Sequence, residues 1–128
     1  MSQLSDYLEN VLINAVLRNT PYSSPATVYV GLFTSDPTDA GTGTEVTGGA
    51  YQRMPVTFTA PTDGQVSNSA DVLFPIATAN WGTITHVGLY DSLSGGHLLF
   101  HAPLEFAKTI NISSQFKIPQ SYLISRLK

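Results

Sequence analysis

Residues 81–91, W-G-T-I-T-H-V-G-L-Y-D, read as the central strand of a β-sheet protein. Thr83, Ile84, Thr85 and Val87 supply β-branched side chains, and Gly82 and Asp91 mark the ends. Strict alternation puts Thr83, Thr85, Val87 and Leu89 on one face and Ile84, His86, Gly88 and Tyr90 on the other. Apolar bulk on both faces of the second half predicts a strand buried between two layers. Gly88, without a side chain in mid-strand, predicts a bulge or the close approach of another backbone.

The flanking sequence repeats this pattern in shorter units. Upstream, residues 27–34 alternate with Val28, Val30 and Leu32 on one face and Tyr29 and Phe33 on the other. Residues 53–59 alternate through Met54, Val56 and Phe58, and Pro55 marks that strand as an edge or a bulge. Val66 and residues 71–74 predict further short strands. Downstream, residues 97–101, 104–112, 115–118 and 122–127 each predict a strand, broken by Pro103 and by the turn at Ser113-Ser114. Strands about ten residues apart, joined by Gly, Pro and Ser, indicate a sandwich, jelly roll or barrel. The predicted fold class is mainly β: an antiparallel β-sandwich, jelly-roll-like, with one N-terminal α-helix.

That helix spans residues 2–19, where Leu4, Tyr7, Leu8, Val11, Leu12, Ala15 and Val16 recur at amphipathic spacing. Ser2 is the predicted N-cap, Asp6 and Glu9 favour the early turns, and Thr20-Pro21 stops the helix. The stripe can pack on the domain's own sheet or dock on a partner subunit, and Ile13 and Leu17 widen it enough to keep docking open. Residues 35–49, S-D-P-T-D-A-G-T-G-T-E-V-T-G-G, form a long polar loop, and a segment of that length without regular structure is commonly functional or mobile. The 128 residues are expected to make one domain, helix 2–19 followed by a β-sandwich over 27–128.

Charged residues make up 12% of the chain, about half the usual share of roughly 25%, so the polar surface must come from Thr, Ser, Asn and Gly. A net charge of −3 with six basic residues gives no electrostatic footprint for nucleic acid. No cysteine is present, so neither a disulfide framework nor a thiolate metal site is expected. The N-terminal stretch lacks the basic and apolar regions of a signal peptide, and no apolar run reaches the roughly 18 residues of a membrane span. Neither nucleic acid nor membrane is an expected partner.

Motifs for chemistry are missing. His97 and His101 share a strand face but lie about 13 Å apart, too far to ligate one metal. Asp36, Asp39 and Glu45 do not follow the alternating ligand positions of a calcium loop. No nucleophile elbow, phosphate loop or H-E-x-x-H helix occurs, and Gly41-Thr42-Gly43 does not lie between a strand and a helix. No catalytic residue, metal site or cofactor is predicted, and Trp81 and the tyrosines are read first as core.

Three segments carry a family resemblance: S-D-Y-L-E-N-V-L-I-N-A-V-L-R near the start, P-A-T-V-Y-V-G-L-F-T-S-D-P-T-D-A-G-T-G-T-E-V-T-G-G, and W-G-T-I-T-H-V-G-L-Y-D. Together they resemble small virion proteins of tailed bacteriophages, some fibre-associated and some capsid-decorating. The resemblance implies a non-enzymatic structural role in the virion and does not choose between head and tail. The chain shows no heptad stretch, collagen-like repeat or linker from which a fibre shaft could be built. The leading expectation is therefore a capsid decoration (cement) protein on the outer shell, assembled in the host cytoplasm. Its partners would be the major capsid protein and further copies of itself, as a dimer or trimer. A tail-fibre or baseplate protein bound to other tail proteins is the alternative, and a carbohydrate-binding module is a third. The expected partner contacts are Leu4, Tyr7, Leu8, Val11, Ile13 and Leu17 on the helix, with Asp36, Thr38, Asp39, Thr42, Thr44 and Glu45 on the loop.

Overall fold

A computed structural model describes residues 3–127. The chain runs β1 (Gln3–Leu4), α1 (Asp6–Leu17), β2 (Val28–Phe33), β3 (Met54–Val56), β4 (Gln65–Ser67), β5 (Val72–Leu73), β6 (Gly82–Tyr90), β7 (Leu98–Ile110), β8 (Lys117–Ile118) and β9 (Ile124–Arg126). One layer is a five-stranded sheet in the order β1-β7-β6-β2-β3, with β6 at its centre and every pairing antiparallel. Two short ladders, β4-β9 and β5-β8, complete the strands, and β5-β8 supplies Val72 and Ile118 to the core. The result is a mainly β sandwich with one N-terminal helix, as the sequence pattern predicts.

The main core lies between these layers. Val30, Leu32 and Ile84 are fully buried there, with Val87, Leu89, Trp81 and Ile110 from the large sheet and Phe74, Phe116, Ile118 and Leu123 opposite. A smaller cluster of Phe33, Tyr90 and Leu98 forms separately, so β2 and β6 bury both faces. Gly31 and Gly88 sit opposite each other on these two strands. A Cβ on Gly88 would lie 2.8 Å from Leu98 Cδ1 and 2.9 Å from Phe33 Cε1, so its bareness serves side-chain approach and not a second backbone.

Strict alternation fails within β6. Ile84 joins Val87 and Leu89 in the same core cluster, because Ile84 pairs with Lys108 while His86 already pairs with Pro103. The extra residues on β7 make an irregularity that re-aims β6 by one position. Pro103 does not end its strand either. β7 continues through it to Ile110, and the expected strands at 97–101 and 104–112 are one bent element that begins after His97.

The helix is shorter than its periodicity suggests. Gln3 and Leu4 pair with His101 and Phe100 as β1, so the edge of β7 claims residues whose spacing fits a helix. The cap is therefore Ser5, with an extended backbone and a hydroxyl that accepts the Leu8 N–H at 3.1 Å and donates to the Leu98 carbonyl. Ser2, the expected cap, lies outside the described residues. At the other end Asn19 adopts φ 54°, and the Arg18 and Thr20 N–H groups both return to the Asn14 carbonyl, so the helix stops before Thr20-Pro21.

Candidate interaction surface

Residues 35–49 are folded back upon themselves and pinned to the sheet. The Pro37 carbonyl accepts the Thr42 and Gly43 N–H groups, and Asp36 Oδ1 accepts the Thr38 N–H at 2.9 Å. The returning arm then continues the sheet alongside β2: Thr34 N–H donates to the Thr44 carbonyl and Val46 N–H to the Leu32 carbonyl, both at 3.0 Å. Pro37 and Val46 are buried. The expected structureless loop is thus a compact, hydrogen-bonded one.

Glu45 explains much of that order. Its carboxylate takes a two-pronged bond from Arg53, Nη2 to Oε1 and Nε to Oε2, each 2.9 Å. The remaining Arg53 nitrogen donates to the carbonyls of Ser92 (2.9 Å) and Gly95 (2.8 Å), and the guanidinium lies 3.5 Å from the Tyr90 ring centroid. Burial disfavours the Arg53 charge, but the hydrogen bond and charge of Glu45 outweigh it and raise its pKa. The Tyr51 hydroxyl donates to Glu45 Oε2 and accepts the Leu32 N–H, and burial together with the Glu45 bond pushes its pKa well above the ordinary value. A Cβ on Gly31 would lie 2.9 Å from that same carboxylate oxygen. Glu45, an expected partner contact, is committed to this internal network.

Asp39 ties the loop to the helix and to β7. Its Oδ1 lies 2.8 Å from Nε2 of buried His101, and its carbonyl accepts the Asp6 N–H at 2.9 Å. Asp36 Oδ1 stands 3.8 Å from His101 Nδ1. The exposed carboxylates of Asp6, Glu9 and Asp39 come within 4.8 Å of one another, a combination different from the Asp36, Asp39 and Glu45 set that the sequence suggests. Beside them is an open depression of about 430 Å³ lined by Asp6, Tyr7, Asp39, Tyr90 and His97. The His97 ring stacks on Tyr7 at 3.9 Å, and its backbone N–H and Nδ1 meet the two oxygens of Asp91 at 2.7 and 3.0 Å. Burial opposes ionisation of Asp91, yet the His97 N–H, ring and charge prevail and hold its carboxyl below the usual value. His86 bonds Thr85 through Nδ1. Each histidine has its own partner, and none of the three lies in the acidic group.

The helix divides the expected contacts sharply. Leu8 is buried against the domain, and Tyr7, Val11 and Leu12 are half-buried. Leu4 is half-buried too, but in β1 and not on the helix. Past that point the stripe loses its floor: Ile13 is 52% exposed, and Val16 and Leu17 are each 76% exposed. These three sit at i, i+3 and i+4, so they form one apolar spot at the helix end. Val16 escapes a sequence reading, because its spacing assigns it to the packed stripe and nothing in the sequence says how far the sheet beneath extends. On the loop, Thr38 and Thr42 face solvent with hydroxyls 2.9 Å apart, and Thr44 is exposed nearby. Trp81 is no open platform: it is 5% exposed, and its indole N–H donates to the Gly49 carbonyl at 2.8 Å.

A family model described as podophage GP4 fiber I protein gp80 matches residues 3–126. The chain belongs to this family. It is a structural protein of a tailed phage and a component of the virion, as the three resembling segments imply. No curated protein matches the sequence. Among the described residues no helix is long and apolar enough to cross a membrane.

Proposed function

We propose that this chain is a non-enzymatic subunit of the phage tail fibre that docks on a neighbouring tail protein through the free end of α1. One observation carries the docking surface: among the described residues, Ile13, Val16 and Leu17 leave half or more of their apolar surface exposed at the end of the helix. Burying three such side chains on a partner would contribute about 1.5–3 kcal/mol each. The exposed loop positions Thr38, Thr42 and Thr44 supply a polar rim that needs no rearrangement on contact. The description of the family supports a fibre location over the capsid lattice that the lack of a shaft suggests. The fibre reading needs no shaft in this chain, since a short globular subunit can sit on a shaft built elsewhere.

Copy number tests the location. Quantitative densitometry of purified virions should give a ratio to the major capsid protein in the low hundredths, about what a tail of limited symmetry can hold. A simple fraction near one would assign the chain to a decorating lattice instead. The docking surface is tested separately, by complementing phage with a V16Q/L17Q chain. Particles should then lack the chain, although the variant protein itself remains folded.

A further inference from the structure

The outer edge of β7 is open over most of its length. β1 covers it only at Phe100 and His101, and among the described residues no strand lies on that side from Leu104 onward. Two hydrogen bonds fix which backbone groups point outward. The Leu99 carbonyl accepts the Ser5 N–H, so residue 99 faces β1, whereas the Ile110 carbonyl accepts the Trp81 N–H, so residue 110 faces the β6 side. Parity counted from either end agrees across the irregularity between Pro103 and Lys108, where β7 advances five residues for two on β6: odd-numbered residues face the open side. Pro103 falls in the outward set, where its missing N–H breaks no internal ladder. Beyond it, among the described residues, no strand lies outside Glu105, Ala107 and Thr109, and residues 105–109 are all exposed. Phe106, in the middle of this edge, is 74% exposed. Natural sheets usually blunt such an edge, and a large bare aromatic does the opposite.

We propose that the β7 edge from Leu104 to Ile110 is a strand-addition surface for a second copy of this chain, paired antiparallel across a two-fold axis at Ala107. A row of alternating N–H and C=O groups is satisfied by another extended backbone, and the charge pattern selects a copy of the same strand. A two-fold centred on residue 105 sets Glu105 against its own copy, and one centred on 108 sets Lys108 against its own copy; both are repulsive. Centring on 106 leaves Glu105 facing Ala107 and Lys108 facing Leu104. Centring on Ala107 puts the smallest side chain at the axis, sets Glu105 opposite Thr109, and lays the Lys108 stem and ammonium of each copy over Phe106 of the other. That register covers the exposed ring and gives both charges a compatible neighbour. This pairing is independent of the helix contact, and its failure would leave the fibre reading untouched.

The test uses the full chain in solution. Sedimentation equilibrium at high micromolar concentration should show a reversible dimer. A107K and A107E, each placing like charges together at the axis, should weaken dimerisation by about tenfold with an unchanged melting temperature. Mixing the two in equal amounts should restore association, because Lys and Glu then meet across the axis. Amide exchange on the unmodified chain should show Glu105, Ala107 and Thr109 protected at high concentration and exchanging freely when dilute. A monomer at every concentration, variants that dimerise as well as wild type, a mixture that stays monomeric, or edge amides protected in the dilute monomer would each overturn the proposal.

Discussion

The polar loop at 35–49 and the apolar helix at its side invert what their compositions suggest. The loop is nearly devoid of apolar residues, yet it is locked by the Glu45–Arg53 ion pair, buried Val46 and the Asp39–His101 bond. The helix has the apolar stripe expected of a packed element, yet its last turns stand free. Order followed the availability of complementary partners. Arg53 and His101 were waiting for the loop's carboxylates, whereas burial along α1 fades after Leu12 and leaves Val16 76% exposed.

This contrast yields its most severe test in the loop. Deleting residues 38–47 should remove the cooperative unfolding transition, because it takes away Glu45, Val46 and the backbone bonds to β2 together. Their combined worth approaches the roughly 5–15 kcal/mol stability of a whole domain. A deletion variant that melts near wild type would show that the loop is an appendage after all. A single change should cost less. E45A leaves the Arg53 guanidinium buried with only backbone acceptors and should lower stability by about 2–4 kcal/mol in urea titrations. A loss under about 1 kcal/mol would mean that Ser92 and Gly95 suffice to hold Arg53.

On the helix the expected effects are small, which is what sharpens the comparison. V16Q/L17Q should shift the unfolding free energy by less than about 0.5 kcal/mol, since both side chains are exposed and Gln is a good helix former. A larger loss would reveal packing that the free helix end does not display. The smallest effect concerns Asp91, which follows β6 and holds the His97 ring that stacks on Tyr7 of the helix. Its carboxyl sits below its ordinary pKa when folded, so its contribution is present above the unfolded value near 4 and fades as pH falls through the lower folded value. D91N should therefore cost about 1 kcal/mol or less at neutral pH, and the two proteins should converge in melting temperature near pH 2.

The strand pattern was readable because alternation and turn residues are local. Val28, Val30 and Leu32 fell on one face of β2 as their spacing predicts, and Pro55 fell in a short edge strand. Errors arose where two segments compete for one partner. Gln3 and Leu4 carry helical periodicity, but the edge of β7 offers hydrogen bonds and takes them as β1. Ile84 changed sides because residues far along the chain, on β7, outnumber their partners on β6. Of the expected contacts, Ile13, Leu17 and the exposed threonines lie at the surface, whereas Leu8 and Glu45 were absorbed by partners whose positions no local pattern reveals.

The sequence by itself determined the class of fold, the lack of recognisable catalytic motifs and the kinship with tailed-phage virion proteins, since period, composition and motif are properties of neighbouring residues. Tertiary structure decided which polar residues became interior and which apolar ones stayed outside. It brought Glu45 to Arg53, Asp39 to His101 and Gly88 to Leu98, and it left Val16 and Phe106 bare. Burial is a property of what lies on the other side of a residue, and for this chain that other side is supplied from 8 residues away for Glu45 and Arg53 and from 62 away for Asp39 and His101.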